Sequence, residues 1–236
     1  MREISIVVPV LNEEGNITEL YNRTKSILTN FEMIFVDDGS SDGTISVLKE
    51  ISSNDNNIIC IFNKKRLGHM GSYLAGISKS NSDRIVIMDG DLQHPPEILP
   101  DFLFAFERGY NLVIGTRYVN HSFIGKRSLV RGLISRTADL LLKLTVPQCR
   151  NISDPISGFI GFNRNLNIPV TPEMKGNKLL PFLLVSNWNL KIAYAPYRFH
   201  ERVSGKSKIV SGGTSFIWKF LHEVIDIRAV STKYNR

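Results

Sequence analysis

Five apolar, β-branched runs, at residues 4–10, 31–36, 58–62, 84–88 and 112–115, are separated by four stretches of helical character. The stretches run from 16 to 29, from 44 to 52, from about 68 to 79 and from 97 to 108. The runs lack polar alternation, which marks strands buried on both faces. Strands that alternate with helices of this length must return over a crossover and lie parallel. The fold class predicted is therefore α/β, a mostly parallel doubly wound sheet with helices on both faces. Ligands of such sheets sit at the carboxyl ends of the strands.

Those ends are polar in this chain. Strand one runs into Asn12-Glu13, strand two into Asp37-Asp38, strand four into Asp89-Gly90-Asp91-Leu92-Gln93, and strand five into Arg117. Two carboxylates one residue apart at the end of a buried strand repel each other and resist joint ionisation. A hard divalent cation relieves that conflict, because Mg²⁺ takes one or two carboxylates together with substrate phosphates. Asp-Gly-Asp is also ordinary turn chemistry, and this short motif alone leaves both readings open. Convergence of four polar ends on one sheet edge says more than any one of them.

The first strand is not followed by G-x-G-x-x-G, and no G-x-x-x-x-G-K-[ST] loop occurs. The pattern thus points to a sugar nucleotide rather than NAD or a P-loop triphosphate. The formal net charge of +7 implies acidic partners, whether nucleic acid, phosphorylated substrates or an anionic membrane. The basic residues sit at strand ends and no nucleic-acid motif is present, so nucleic acid is not expected. Two isolated cysteines, Cys60 and Cys149, suit a reducing compartment. The chain enters a strand by Ile4, which leaves no visible signal peptide, and no apolar run reaches the ~18 residues a membrane span needs. A cytoplasmic protein in peripheral contact with a membrane is expected.

The second half is less regular. Residues 126–144 read as a helix with Arg127, Arg131 and Ser135 on one face and Leu129, Leu133, Leu140, Leu141 and Leu144 elsewhere around it. A turn at 154–159 leads into a strand at 159–162. A helix at 179–188, a strand at 190–195 and a basic loop at 201–208 follow. The final helix, 214–230, is amphipathic: Phe216, Ile217, Phe220, Leu221, Val224 and Ile225 form its stripe, and Lys219, His222, Glu223, Asp226 and Arg228 face away. It suits packing on the chain's own sheet or on a partner, or an interfacial membrane role. The expected division is a catalytic domain over 1–212 and this helix and tail over 213–236.

Taken in order, these segments resemble the inverting glycosyltransferases of family two, which have the GT-A fold. Val8-Pro9-Val10-Leu11-Asn12-Glu13, Asp37-Asp38-Gly39-Ser40-Ser41-Asp42-Gly43-Thr44 and the stretch from Met88 to Glu97 carry the likeness, with Gly115-Thr116-Arg117-Tyr118, Arg131 to Ser135, Asp154 to Phe159 and Arg202 to Lys208. Within the family the chain is most similar to the branch that uses dolichyl or polyprenyl phosphate as acceptor. The resemblance implies that Pro9, Leu11, Glu13, Val36 and Asp37 or Asp38 surround the donor's base and ribose. It implies Asp89 near ribose and metal, Gly90 under the diphosphate, and Asp91 and Gln93 as ligands of Mg²⁺ or Mn²⁺. Arg117, Arg131, Ser135 and Arg202 would meet the acceptor phosphate, and Lys208 the phosphates. The family usually has Ala at Gly90 and Tyr at Leu11, and many relatives carry membrane spans after the final helix.

The implied reaction is metal-dependent inverting transfer of mannose from GDP-mannose to dolichyl phosphate, with a separate membrane subunit as a further partner. The alternatives are a UDP-sugar donor with glucose or N-acetylglucosamine, or a non-catalytic nucleotide-sugar-binding subunit.

Overall fold

In the computed structural model, residues 2–119, 122–123, 129–172, 174, 176–199 and 213–234 are described, with the backbone alone for 119, 122–123, 129–134 and 213–219. The elements run β1 (Ile4–Val10), α1 (Glu14–Ile27), β2 (Phe31–Asp37), α2 (Thr44–Asn54), β3 (Ile58–Phe62), α3 (Gly68–Lys79) and β4 (Arg84–Ile87). A 3₁₀ turn at Pro96–Ile98 leads into α4 (Leu99–Glu107) and β5 (Leu112–Thr116). A short ribbon of β6 (Tyr118–Val119) and β7 (Ser122–Phe123) precedes α5 (Leu129–Thr145). Then come β8 (Ile160–Asn163), α6 (Leu179–Ser186), β9 (Ile192–Pro196) and α7 (Gly213–Tyr234).

The seven-stranded sheet has the order β3-β2-β1-β4-β8-β5-β9. Its pairs are parallel except those of β8, which lies antiparallel between β4 and β5. This is the predicted mostly parallel sheet with one reversal inside it. Because β8 runs backwards, the loop that feeds it arrives at the edge where the parallel strands end. The Asp154–Phe159 turn therefore joins the polar edge.

Period-two alternation divides the core between the two faces. Val7, Ile34, Val36, Ile87 and Ile114 point toward α3, α5, α6 and α7. Ile6, Val8, Phe35, Val86 and Val113 point toward α1, α2 and α4. With both faces covered, the sheet exposes only its edges and strand ends.

Three details differ from expectation. Asn16 does not cap α1; the helix begins at Glu14, and buried Asn16 donates from Nδ2 to Glu13 Oε2 at 2.7 Å. Leu140 and Leu144 are exposed, while Leu142 fills the α5 interface. Glu223 does not face away: it is buried where α7 packs on α6, and Val224, Ile227 and Val230 supply the apolar contact. No helix among the described residues is long and apolar enough to cross a membrane.

Candidate active site

The polar edge divides into two parts. On one side, the loops after β1 and β2 are stitched together. The Asn12 amide donates to Ser40 Oγ at 2.8 Å, Ser41 N–H donates to Asn12 Oδ1 at 2.8 Å, and Glu13 N–H donates to Thr44 Oγ1 at 2.9 Å. Asn12 has φ +56, a left-handed conformation that Asn tolerates better than most residues. Asp37, the last residue of β2, and Asp38 after it both hold backbone. Asp37 accepts from the amides of Gly39 and Ser40, closing its own turn. Asp38 accepts from Leu67 N at 2.7 Å and Gly68 N at 2.9 Å, fastening the start of α3. Pro9, Leu11 and Glu13 are half-buried along this rim, whereas Val36 is fully buried in the layer beneath α3.

At the centre, Asp89 and Asp91 follow β4. Asp91 is buried, and its Oδ1 accepts from the Gln93 amide at 3.1 Å, so the carboxylate also shapes its loop. Leu92, at φ +62, makes the tight turn between Asp91 and Gln93. Gly90 is packed so closely that a Cβ there would come 2.9 Å from Val10 Cγ1. The loop is pinned from outside by a two-pronged contact of Arg23 with Glu97, at 2.8 and 2.6 Å.

His94 was not singled out from the sequence. Its Nδ1 accepts from the Asp89 amide at 3.0 Å, and its Nε2 lies 3.8 Å from Asp89 Oδ2. It stacks on Phe159, which stacks on Phe102, with ring centroids 4.8 and 4.9 Å apart. Burial pushes its pKa down to about 4, against the pull of Asp89, so the imidazole is neutral. A neutral ring accepting at Nδ1 carries its proton on Nε2 and presents it toward the Asp89 carboxylate. His94 is thus an orienting residue on an aromatic floor. The clue in sequence was only its place two residues before Pro96.

On the far side, Arg117 follows β5 and meets Asp154 from the β8 entry loop. Nε donates to Oδ2 at 2.8 Å and Nη2 to Oδ1 at 2.7 Å. Burial works against the Arg117 charge, but Asp154 outweighs it and raises the pKa above its ordinary value. The pair occupies one edge of the guanidinium; the other edge retains donors. Ser157 anchors the same loop by donating to the Gly115 carbonyl at 2.6 Å. Half-buried Asp139 on α5 has its pKa raised by burial, against its ion pair with Lys143. Ser135, one turn earlier, has a buried Oγ without a hydrogen-bond partner among the described residues.

Two further residues belong to this neighbourhood and were missed. Lys178, just before α6, lies in the field of Arg117, Asp89, Glu223 and Asp154, and burial lowers its pKa. Glu223 of α7 holds the backbone around it. Neither neighbours a motif in sequence, so only the fold could reveal them. The structure brings together Pro9, Leu11, Glu13, Asp37, Asp38, Asp89, Gly90, Asp91, Gln93 and Arg117 along one edge, where the parallel strands end, while Ser135 lies on α5. The Arg131 side chain, Arg202 and Lys208 lie outside what is described.

Among the described residues, no group of three or more His, Cys, Asp or Glu could hold a metal ion. The polar residues after β4 are two aspartates and one carboxamide, Asp89, Asp91 and Gln93. Such a set suits a cation that completes its shell with phosphate oxygens and water.

Residues 5–169 match the family described as glycosyl transferase family 2. A dolichol-phosphate mannosyltransferase of Pyrococcus furiosus is 33% identical over 216 residues, covering 91% of this chain and 61% of that protein. The chain thus spans less than two thirds of that relative's length. The dolichol-phosphate mannosyltransferase of Mycosarcoma maydis is 31% identical over 94% of this chain and 78% of its own. Among solved structures, glucosyl-3-phosphoglycerate synthase from Mycobacterium tuberculosis, crystallised with Mn²⁺ and UDP-glucose, superposes with a TM-score of 0.72. It shares 20% identity and is matched over 97% of this chain and 79% of that one. The alternating strands, the reversed β8 and the carboxylates at the switch between β1 and β4 therefore have one common explanation: the chain belongs to glycosyl transferase family 2 and has its GT-A-like fold.

Proposed function

We propose that this chain transfers a sugar from a nucleoside-diphosphate donor to a polyprenyl phosphate, and specifically mannose from GDP-mannose to dolichyl phosphate. The observation that carries the reading is the pairing of opposite chemistries on one edge. Oxygen ligands follow β4, and cationic side chains gather around β5 and β8. The names of the relatives from P. furiosus and M. maydis support the acceptor and the sugar. A second reading, another sugar on the same class of acceptor, draws on a 37% identity over 125 residues. That match is to the undecaprenyl-phosphate 4-deoxy-4-formamido-L-arabinose transferase of Proteus mirabilis.

Asp89, Asp91 and Gln93 would hold Mg²⁺ or Mn²⁺ together with the donor diphosphate, and such a cation supplies Lewis-acid stabilisation of the leaving group. The use of Mn²⁺ by the M. tuberculosis synthase crystals is consistent with that assignment. His94 holds the Asp89 backbone in register through its Nδ1 contact. The stitched loops after β1 and β2 frame the base and ribose. The acceptor is a phosphate monoester with a second pKa near ~6, so it is already an anionic nucleophile at neutral pH. It needs little help from a general base; it needs cations to bring it beside another anion. Arg117 offers its free edge for this, with Arg131, Arg202 and Lys208 as the other cations assigned to phosphate and Ser135 as a hydroxyl donor. The acceptor's lipid tail implies work at a membrane surface in peripheral contact, with a membrane subunit as a natural partner.

The test is a panel of GDP- and UDP-sugars with dolichyl phosphate and Mg²⁺ or Mn²⁺, read as labelled lipid. Product from GDP-mannose alone is expected; product from a UDP-sugar alone would select the second reading. Asp91→Ala should lower turnover by about three orders of magnitude, the several kcal/mol that a metal contributes at a developing charge. Unchanged turnover in a folded variant would remove the metal assignment.

A further inference from the structure

We propose that Gly158 is a specificity-determining position, a piece of bare backbone against which the transferred sugar lies beside Asp89. This rests on the sugar-nucleotide donor in the reading above.

Other glycines along the strand-end edge are required by the fold itself. Gly39 and Gly68 have φ +86 and +73, a region where side chains are strained. At Gly43, Gly90 and Gly115 a Cβ would come within 3.0 Å of Glu14, Val10 and Phe159. Gly158 has neither reason. Its φ lies outside the left-handed region. A Cβ there would meet His94 Cε1 at 3.5 Å and Asp89 Oδ2 at 3.8 Å, both ordinary van der Waals distances. Alanine would fit the folded chain, and it would stabilise the fold by restricting the unfolded one. A glycine where the fold accommodates alanine suits a place that a ligand must approach closely.

The backbone is fixed on both sides of this position. Ser157 Oγ donates to the Gly115 carbonyl at 2.6 Å and accepts from the Phe159 amide at 3.2 Å, bridging Gly158. Phe159 is stacked on both His94 and Phe102. Asp154, at the start of the same turn, is held by Arg117 at 2.8 and 2.7 Å. A side chain at 158 could not be accommodated by retreat of the turn.

Residues 154–157 and 159 are buried, whereas Gly158 is partly exposed. The Asp89 side chain beside it is 37% exposed. The turn is therefore open at the residue that adjoins the accessible carboxylate. Because β8 lies between β4 and β5, this opening lies between Asp89 and the Arg117 that follows β5. In the proposed reaction the donor diphosphate is on the Asp89 side and the acceptor phosphate on the Arg117 side. The atoms between them are those of the sugar. A methyl at 158 would take volume from that ring and leave the base, ribose and diphosphate contacts alone.

The experiment compares Gly158→Ala and Gly158→Val with the parent in the full chain. Calorimetry with Mn²⁺ present measures binding of GDP and of GDP-mannose, and thermal unfolding measures stability. Gly158→Ala should weaken GDP-mannose about 10-fold while GDP stays within about twofold. Gly158→Val should widen that gap. The Tm of Gly158→Ala should equal or exceed that of the parent. Unchanged GDP-mannose affinity in Gly158→Ala, an equal loss of GDP affinity, or a lowered Tm would each overturn the proposal. If the parent binds UDP-glucose instead, UDP and UDP-glucose give the same comparison, and only the GDP-mannose assignment falls. A parent that transfers no sugar to any lipid phosphate strikes at the acceptor reading, while the two binding measurements still decide the role of Gly158. A parent that binds neither sugar nucleotide overturns the donor reading and this proposal together.

Discussion

The two halves of the site are built by different means. On the β1–β2 side, charged and polar side chains are bound to backbone: Asp37 to Gly39 and Ser40, Asp38 to Leu67 and Gly68, Asn12 to Ser41. On the β5–β8 side, charges face one another: Arg117 grips Asp154, and Lys178 stands in their field. The first half is a frame held by its own hydrogen bonds. The second is a set of charges that face one another. Under the proposed function, this contrast would suit a donor held in one orientation and an acceptor recognised mainly by charge.

Breaking the Arg117–Asp154 pair tests the contrast most severely. Asp154→Ala leaves a buried guanidinium unpaired and should cost about 3–5 kcal/mol in denaturant unfolding. Arg117→Leu with Asp154→Leu together should cost less than either single change, since no lone charge remains. A double variant with additive loss would place the pair's value in specific geometry rather than charge balance.

Acid should probe the centre of the edge. His94 is neutral in the fold with its pKa near 4, whereas an exposed histidine titrates near ~6.5. The unfolded chain therefore binds the extra proton first. The stability that His94 contributes is complete above ~6.5 and is lost as pH falls toward 4, by about 3 kcal/mol in all. A cation held by Asp89, as proposed, would push the same way. His94→Gln should flatten that part of the stability–pH curve, and an unchanged slope would exclude His94 as its source.

The frame should yield least to a single change. Asp38→Ala removes the acceptor for two amides at the start of α3 and should cost about 1–2 kcal/mol. It should also raise KM for the donor more than KM for the acceptor. An acceptor effect as large would dissolve the division between the halves.

The same division governs what could be read from sequence. The frame stands at strand ends: Asp37 closes the turn beside it, and although Asp38 reaches Leu67 and Gly68 and Asn12 reaches Ser41, these polar residues sit where apolar runs stop, which is what declared them. The parallel strands were legible for a similar reason, since both faces of the sheet are covered and the runs are continuously apolar. The charge-balanced half is assembled from residues 117, 154, 178 and 223, each from a different segment. Arg117 and Asp154 could be quoted from motifs, but their mutual pairing could not. Lys178 and Glu223 carried no local signal, and helical periodicity put Glu223 on the wrong face. Periodicity assumes that a helix has one buried stripe. α7 meets both α6 and α5, and the turn before α6 needed an acceptor for its amides.

The reversed strand β8 sets a length. It separates β4, followed by Asp89 and Asp91, from β5, followed by Arg117. Neighbouring strands lie about 4.8 Å apart, so one intervening strand holds the two strand axes roughly 10 Å apart. In the proposed reaction, directly adjacent strands would press the two anions together, and two intervening strands would leave the reactants out of reach. A single spacer would leave room for one sugar ring between two phosphates. The strand that breaks the sheet's parallel order would then act as the gauge of that proposed transfer.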